Sequence, residues 1–284
     1  MMPPRPDATE PTPRWPRWRR RLAGSRALVT GASSGVGRAV ALELARRGVR
    51  VLATSRRGER LAALADEVAS LAGGPLVYEA GDITSSDFRR RLVDAATRQL
   101  GGLDLVVAAA GSGAIGRFRD ASPDTLARIM DIDFTAQAEL VRVTLPALRA
   151  GSDPVIVLVG SILGYHPLPL HAEYCAAKAA VRSLAGTLRM ELANDGVGVL
   201  LASLGPTESE FWNHLLTGHR PAWSRGRAMS VSRTARIIVR AMAWRRREVL
   251  PGWQAKGFAF GARLFPRLFD RVMMRRLRRS PPVS

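Results

Sequence analysis

Strand-like and helix-like segments alternate along most of this chain, and this alternation limits the possible folds more than any other feature. Six apolar runs, RALVT, VRVLATS, PLVYEA, LDLVVAAA, PVIVLVG and VGVLLAS, are separated by segments with apolar residues at helical spacing. Strands joined by helices form right-handed crossovers and a parallel sheet that is covered on both faces. We predict an α/β fold, a doubly wound parallel sheet (Rossmann-like), in a single domain over residues 25–252.

The two ends of the chain differ from this domain in charge. The net charge is +19; residues 1–24 carry six arginines and two acids, residues 220–284 carry 17 basic residues and two acids, and the remainder is neutral. An arginine-rich composition alone would not place the whole excess at the ends. We interpret residues 1–24 as a basic extension with Pro and Trp that is disordered in isolation, and residues 253–284 as a basic C-terminal arm.

The arm has an amphipathic pattern. Arginine recurs every four residues at positions 263, 267, 271 and 275, opposite an apolar stripe of Phe265, Leu268, Phe269, Val272 and Met273. Such a helix suits an anionic membrane surface, and packing on the protein's own body or on a second subunit is an equal alternative. Pro266 is expected to start a helix rather than lie inside one. Nucleic acid is not expected as a partner, because the neutral body offers no recognition module.

The cysteine count and the hydropathy predict a cytoplasmic protein. Any contact with a membrane is expected to be peripheral. The only cysteine, Cys175, excludes an intrachain disulfide and fits a reducing compartment. No run of about 18 apolar residues predicts a transmembrane helix, and the N-terminus lacks a signal-like apolar segment. No metal is expected, because none of the four histidines has a partner at metal-site spacing: His166, His171, His214 and His219.

A glycine-rich loop, TGASSGVG from Thr30 to Gly37, follows the first strand and leads into a helix. Backbone amides and the positive end of a helix dipole meet there, which suits a pyrophosphate. Gly31 permits a tight turn, and Gly35 and Gly37 remove side chains where ligand and strand come close. Ser33 and Ser34 complete the predicted cofactor-binding loop; a glycine turn without a ligand is the alternative.

The end of the second strand indicates which dinucleotide is bound. An acid at this point would hold the adenosine ribose of NAD, but the sequence has Ser55 followed by Arg56 and Arg57. An arginine accommodates a 2′-phosphate, although arginine is common in this chain. We predict NADP(H) in preference to NAD(H), with Arg56 as the ligand of the phosphate.

The stretch YCAAK holds one of only two lysines in the chain. Tyr174 and Lys178 are four residues apart in a predicted helix and so share one face. A nearby cation favours the phenolate and lowers the pKa of a tyrosine, which can then exchange a proton with a carbonyl or alcohol oxygen. Taken alone, the pair could be a chance feature of a solvated helix face.

The combination of TGxxxGxG, YxxxK and the strand–helix pattern resembles the short-chain dehydrogenase/reductases over about residues 25–250. The resemblance implies that Ser161 hydrogen-bonds a substrate carbonyl, that Tyr174 is the general acid/base, and that Lys178 binds the nicotinamide ribose and tunes Tyr174. It adds further cofactor contacts at Asp82, Ile83, Gly111, Gly205 and Thr207.

Three departures from the family's pattern accompany this resemblance. The usual NNAG is AAAG, residues 108–111, so the asparagine side chains that tie this region are absent. The asparagine that holds a relay water corresponds to Asp133, which we expect to act in catalysis but to compete for Lys178. Leu204 replaces the proline of the family's PG motif.

These residues predict NADP(H)-dependent reduction of a carbonyl, or oxidation of the matching alcohol, in a homo-oligomer. The alternative is a dinucleotide-binding regulatory or scaffold protein with little turnover, which AAAG and Asp133 favour; the intact Ser161, Tyr174 and Lys178 favour an enzyme. A small hydrophobic substrate is expected because the candidate lining residues are apolar: Ile115, Phe118, Ile162, Leu163, Leu168, Phe211 and Trp212.

Overall fold

The computed structural model describes residues 19–71, 73–219 and 228–278. Seven parallel strands form the main sheet: β1 (Arg26–Thr30), β2 (Arg50–Ser55), β3 (Leu76–Ala80), β4 (Leu105–Ala108), β6 (Val155–Ser161), β7 (Gly198–Leu204) and β11 (Glu248–Val249). Their order across the sheet is β11-β7-β6-β4-β1-β2-β3. Four very short strands lie outside the main sheet: β5 (Gly113–Ala114), β8 (Thr207–Glu208), β9 (Leu215–Thr217) and β10 (Met229–Ser230).

Helices connect the strands and cover both faces of the sheet. Their bounds are α1 (Gly35–Arg46), α2 (Gly58–Ala69), α3 (Ser86–Ala95), α4 (Pro123–Met130), α5 (Ala136–Arg149), α6 (Ala172–Glu191), α7 (Val231–Ala243), α8 (Trp253–Leu264) and α9 (Pro266–Arg278). A π-helical segment, Asp131–Thr135, joins α4 to α5. The sequence pattern predicts one continuous helix across this region, and the structure places the widened turn at its centre.

The core consists of two large apolar clusters, one containing α1 and α7 and the other containing α3, α5 and α6, and a small third cluster of Ala114, Ile129 and Ala177. All seven residues of β6 are buried, as expected for a central parallel strand that is covered on both sides. The predicted doubly wound α/β sheet in a single domain is confirmed. The sequence pattern misses β11, because two residues between arginines and a proline are too short for a periodic signal.

The N-terminal boundary differs from the prediction. Residues 1–18 lie outside the described residues, but Arg20 and Leu22 are buried against the domain. The Arg20 guanidinium donates to the Met242 carbonyl at 2.9 Å and pairs with Asp153 at 3.0 Å. The chain therefore packs on the domain from Arg20 onward, before the predicted boundary at residue 25. The sequence does not indicate this packing, because the partners of Arg20 lie in distant segments of the chain.

The C-terminal arm forms α8 and α9, and both contact the domain. Ala255 and Ala262 of α8 are buried, and Phe258 of α8 meets Phe269 of α9 edge to face, with ring centroids 4.8 Å apart. Pro266 begins α9, as predicted. Of the three expected placements of the arm, on a membrane surface, on the protein's own body or on a second subunit, the structure has packing on the protein's own body. No helix within the described residues has the length and apolar character needed to span a bilayer.

Candidate active site

The carboxyl ends of the central strands open into one cavity of about 780 Å³. Its lining includes every residue that the sequence predicts for catalysis or for binding the cofactor. This position follows from the fold, since open parallel sheets bind ligands at the carboxyl ends of their strands, where the strand order reverses. The reversal lies between β1 and β4.

The glycine loop brings its backbone close to the end of β4. Gly31 has a φ of +67°, and a Cβ atom there would lie 2.8 Å from the Ala109 carbonyl oxygen. A Cβ atom on Gly37 would collide with the Gly31 carbonyl, so both positions require glycine. The loop leads into α1 at Gly35. Because its glycines have no side chains, the backbone amides at the N-terminus of α1 are open to a ligand. These features fit the pyrophosphate of a dinucleotide.

The residues after β2 and β3, which the sequence predicts to bind the adenosine part of the cofactor, line one end of the cavity. Arg56 is exposed and makes no hydrogen bond or ion pair with the described part of the chain. Asp82 accepts from the backbone and hydroxyl of Thr84, each at 2.9 Å. Arg89 fixes the same loop from below, since its guanidinium donates to the carbonyl of Ile83 at 2.7 Å.

Arg57 lies at the centre of a network of hydrogen bonds and ion pairs that no sequence motif indicates. Its guanidinium donates to Ser33 Oγ at 2.9 Å and Ser34 Oγ at 2.7 Å. On its other side it lies 2.9 Å from His214 Nε2 and 3.5 Å from Glu210 Oε2. Glu210 also pairs with Arg60 at 2.5 Å, and this bond holds the pKa of Glu210 below its ordinary value. The glycine loop is thus tied to the segment after β7.

Ser161, Tyr174 and Lys178 converge at the opposite end of the cavity. Ser161 is the last residue of β6, and its hydroxyl lies near enough to Tyr174, in the first turn of α6, to lower the pKa of the tyrosine. Lys178 lies one turn further along α6, with Nζ 5.5 Å from the centre of the Tyr174 ring. The spacing of YxxxK in a helix therefore brings both side chains to the end of β6.

A fourth side chain, Asp133, joins this cluster from the π-helical segment. Its Oδ1 lies 2.7 Å from Lys178 Nζ, and its Oδ2 accepts from the Ser112 backbone amide at 2.9 Å. Asp133 is fully buried and Lys178 is 5% exposed. Burial, the largest single influence, would lower the pKa of Lys178, but the charge and hydrogen bond of Asp133 together with Tyr174 raise it. The lysine is therefore a paired cation.

This pairing changes the expected tuning of Tyr174. Burial raises the pKa of Tyr174, Lys178 lowers it, and the Asp133 carboxylate raises it again; the net direction is upward. Lys178 by itself lowers this pKa, as YxxxK predicts. The predicted net lowering is wrong, because the fold adds burial and a carboxylate that the motif does not contain.

The AAAG segment is held by side chains from elsewhere in the chain. Thr30 Oγ1 accepts from the amides of Ala109 at 3.0 Å and Ala110 at 3.1 Å. Buried Gln137 donates to the Ala110 carbonyl at 3.2 Å. A Cβ atom on Gly111 would lie 2.7 Å from Asp133 Oδ1, which explains the glycine. Thr30 and Gln137 thus hold the AAAG segment in the absence of the asparagine side chains.

The loop after β7 forms the nicotinamide side of the predicted site. Thr207 Oγ1 donates to the Gly205 carbonyl at 3.0 Å, which holds the turn. Ser209 approaches Gly35 so closely that a Cβ on this glycine would lie 3.3 Å from the serine Cβ. Ala255 of α8 covers Gly205 from outside, since a Cβ atom on this glycine would lie 3.2 Å from the alanine Cβ. The arm therefore supports the cofactor side of the cavity.

Apolar side chains surround the Ser161–Tyr174 end. Of the seven candidates, five line the cavity: Ile162, Leu163, Leu168, Phe211 and Trp212. The other two do not, because Ile115 is buried beside β9 and Phe118 is 65% exposed in a surface turn. Phe258 of α8 and Met273 of α9 take part in their place. The Phe211 ring lies 5.6 Å from the Tyr174 ring.

The histidines belong to separate contacts. His166 pairs with Asp270 at 3.0 Å, His214 belongs to the Arg57 network, and burial lowers the pKa of His171. Across residues 19–71, 73–219 and 228–278, no cluster of three or more His, Cys, Asp or Glu side chains is placed to hold a metal ion.

Comparisons with known proteins agree with this geometry. The sequence matches the family described as "short chain dehydrogenase" over residues 25–219. It is 40% identical to an uncharacterized oxidoreductase of Myxococcus xanthus, over 65% of this chain and 72% of that protein. It is 30% identical to hydroxysteroid 11-beta-dehydrogenase 1-like protein A of Xenopus laevis, over 89% of this chain and 86% of that protein.

A solved structure has the same fold. The short chain dehydrogenase/reductase of Burkholderia phymatum, in complex with NAD, superimposes with a TM-score of 0.77 at 24% sequence identity. The match covers 88% of this chain and 96% of that one.

Proposed function

The chain belongs to the short-chain dehydrogenase/reductase family and is an NAD(P)-dependent oxidoreductase acting on CH–OH or C=O groups; from this premise we propose that it interconverts an apolar ketone or aldehyde and its alcohol with NADP(H). One observation carries the proposal: Ser161, Tyr174 and Lys178 meet beside an apolar pocket, in the same cavity as the glycine loop.

Each side chain of the Ser161–Tyr174–Lys178–Asp133 cluster has its own role in the proposed reaction. Bound NADP(H) would supply or accept the hydride at the carbonyl carbon. Ser161 would hold the carbonyl oxygen by a hydrogen bond, and Tyr174 would give that oxygen a proton during reduction or remove it during oxidation. Lys178 would hold the ribose, and Asp133 would keep the lysine charged and positioned.

The preference for NADP(H) is supported by the arginine side chains at the mouth of the cavity. Arg56 is unpaired within the described chain, Ser55 stands where an acid would repel a phosphate, and Arg57 and Arg60 lie nearby. Three guanidinium groups at one site favour a ligand with an additional phosphate. The glycine loop, Asp82, Ile83, Gly111, Gly205 and Thr207 would hold the remainder of the dinucleotide.

Two further properties stay predictions. Peripheral binding to anionic membranes is supported by the exposed basic residues of α8 and α9. Co-sedimentation with anionic vesicles at low salt, and release at high salt, tests it. Assembly into a homo-oligomer is checked by light scattering of the purified protein.

The function is tested by turnover of ketones and aldehydes of graded chain length, with NADPH and NADH in parallel. We expect NADPH oxidation that increases with chain length, because Leu168, Phe211 and Phe258 bury the added methylene groups. Turnover that is independent of chain length would contradict an apolar substrate. Tighter binding of NADH than NADPH would contradict the proposed cofactor.

A further inference from the structure

The helices α8 and α9 expose several large apolar side chains to solvent. Trp253 is 79% exposed, Phe260 67% and Phe265 61%, and Leu264, Leu268 and Val272 are also exposed. Single apolar side chains are ordinary on protein surfaces, whereas a group of this size on one helix pair marks an interaction surface. We call these six residues the outer face.

The charge around the outer face indicates its partner. Residues 253–278 contain seven basic residues and one acid, Asp270, and the side chains of Lys256, Arg263 and Arg271 are exposed. Apolar and aromatic groups between basic side chains fit the headgroup region of an anionic bilayer. A second copy bound through the same surface would bring like charges together, which opposes association.

The opposite side of the same helices forms part of the cavity wall. Gln254 and Phe258 of α8, and Met273 of α9, line the cavity together with Tyr174. The arm therefore lies between the substrate end of the cavity and the outer face.

A small contact at His166 joins α9 to the segment after β6. Phe269 meets the His166 ring edge to face at 4.8 Å, and His166 Nε2 lies 3.0 Å from Asp270 Oδ1. The Asp270 side chain is 58% exposed, and such exposed pairs contribute little to stability. This ion pair therefore contributes little to the free energy that holds α9 against the segment after β6.

We propose that α8 and α9 form a membrane-bound gate of the substrate cavity. The outer face binds an anionic bilayer, the contacts of Phe269 and Asp270 with His166 open there, and an apolar ketone or alcohol passes between the bilayer and the cavity. The proposal rests on the proposed function for the chemistry of the substrate. It adds the source of that substrate, which is a compound dissolved in a membrane.

A loading experiment tests this route without turnover. The full-length protein with bound NADP⁺ is incubated at low salt with vesicles that contain 6-propionyl-2-dimethylaminonaphthalene, a fluorescent apolar ketone. High salt then releases the protein, because it screens the attraction, and the vesicles are removed by sedimentation. We expect the protein to carry at least about tenfold more ketone from phosphatidylcholine/phosphatidylglycerol vesicles than from phosphatidylcholine vesicles, since several basic residues contribute to the attraction.

Variants of the outer face separate delivery from binding in the cavity. The double variant Phe260→Ser, Leu264→Ser changes only exposed side chains, and its fold is checked by thermal melting. It is expected to lose sedimentation with anionic vesicles and loading from them, but to take up ketone supplied in solution as the unmodified protein does. Met190→Ser, on an exposed apolar residue of α6, is the matched control and should behave as unmodified.

The gate itself is tested at its polar contact. Asp270→Asn weakens the pair with His166 and should speed uptake of ketone from solution, with vesicle binding retained. Unchanged uptake would overturn the gate.

Other outcomes overturn the membrane route or identify a different role. Equal loading from neutral and anionic vesicles, or no sedimentation at low salt, contradicts it. Concentration-dependent association that the double variant abolishes, without vesicle binding, would identify the outer face as a subunit contact. A protein that loads ketone from anionic vesicles but never oxidises NADPH with it would contradict the proposed function and leave the route intact.

Discussion

Two ion-pair networks border the same cavity and differ in their exposure to water. Asp133 and Lys178 are 0% and 5% exposed, whereas the side chains of Arg57, Glu210 and Arg60 are 29% to 42% exposed. A buried pair interacts strongly and is costly to break, but an exposed pair contributes only about 0–1 kcal/mol and can exchange partners. The buried network is therefore suited to fix the chemistry, and the exposed one to select the cofactor.

The largest expected effect tests the buried network. Tyr174→Phe keeps the ring and its packing but removes the proton, so carbonyl reduction should fall by roughly 10²–10⁴-fold while NADPH binding is retained. Steady-state rates and fluorescence titration measure the two quantities. Tyr78→Phe, on an exposed tyrosine of β3, is the control. If the Tyr174 variant keeps most of its activity, proton transfer occurs elsewhere.

The next effect tests the exposed end. Arg56→Ala should weaken NADPH binding about 10- to 100-fold, because a hydrogen-bonded charge contributes roughly 1.5–3 kcal/mol, and should leave NADH binding nearly unchanged. Arg46→Ala, an exposed arginine at the far end of α1, is the matched control. Equal losses for both cofactors would show that Arg56 does not contact a 2′-phosphate.

A smaller effect, on pH dependence, comes from Asp133→Asn. Burial raises the pKa of Tyr174, Lys178 lowers it, and the Asp133 carboxylate raises it, so removing the carboxylate should lower this pKa. Alcohol oxidation needs the phenolate and increases as pH rises through this pKa. Its rising limb should therefore move to lower pH in profiles of kcat/KM. Asp82→Asn, at the other end of the cavity, should not move it. A shift to higher pH in Asp133→Asn would show that the loss of charge on Lys178, which Asp133 keeps protonated, outweighs the direct effect of the carboxylate on Tyr174.

The weakest expected effect concerns the carboxylate of the exposed network. Glu210→Gln frees Arg57 and Arg60 from a competing carboxylate, so NADPH should bind about 2- to 5-fold more tightly, within the range of an exposed pair. NADH should change little, and Glu59→Gln, on an exposed acid of α2, is the control. Weaker NADPH binding would mean that Glu210 positions the arginines rather than competing for them.

The arm requires surface variants rather than deletion. A truncation near residue 253 should abolish membrane binding while sparing the cofactor site, if the arm is only an appendage. The structure places Ala255 against Gly205, and Phe258 and Met273 in the cavity wall. Deletion would therefore disturb both ends of the cavity, and a loss of activity would not identify the role of the outer face.

The order of residues along the chain is enough to predict the fold class and the residues of the local motifs. Alternating apolar periods predict the six longer strands of the sheet, because periodicity depends only on neighbouring residues. The glycine loop and YxxxK are equally local: a helix turn alone places Tyr174 and Lys178 on one face. An extra strand of two residues and a π-helical turn leave no such periodic signal.

How these local parts act together depends on contacts that form only when the chain folds. Three contacts join segments that are far apart in the sequence: Lys178 with Asp133, Arg57 with Glu210, and Thr30 with the amides of AAAG. Such contacts depend on how helices and strands pack, and no spacing in the sequence records them. The pKa of Tyr174 illustrates the difference: the motif supplies a lysine that lowers it, and the fold supplies the burial and the carboxylate that raise it.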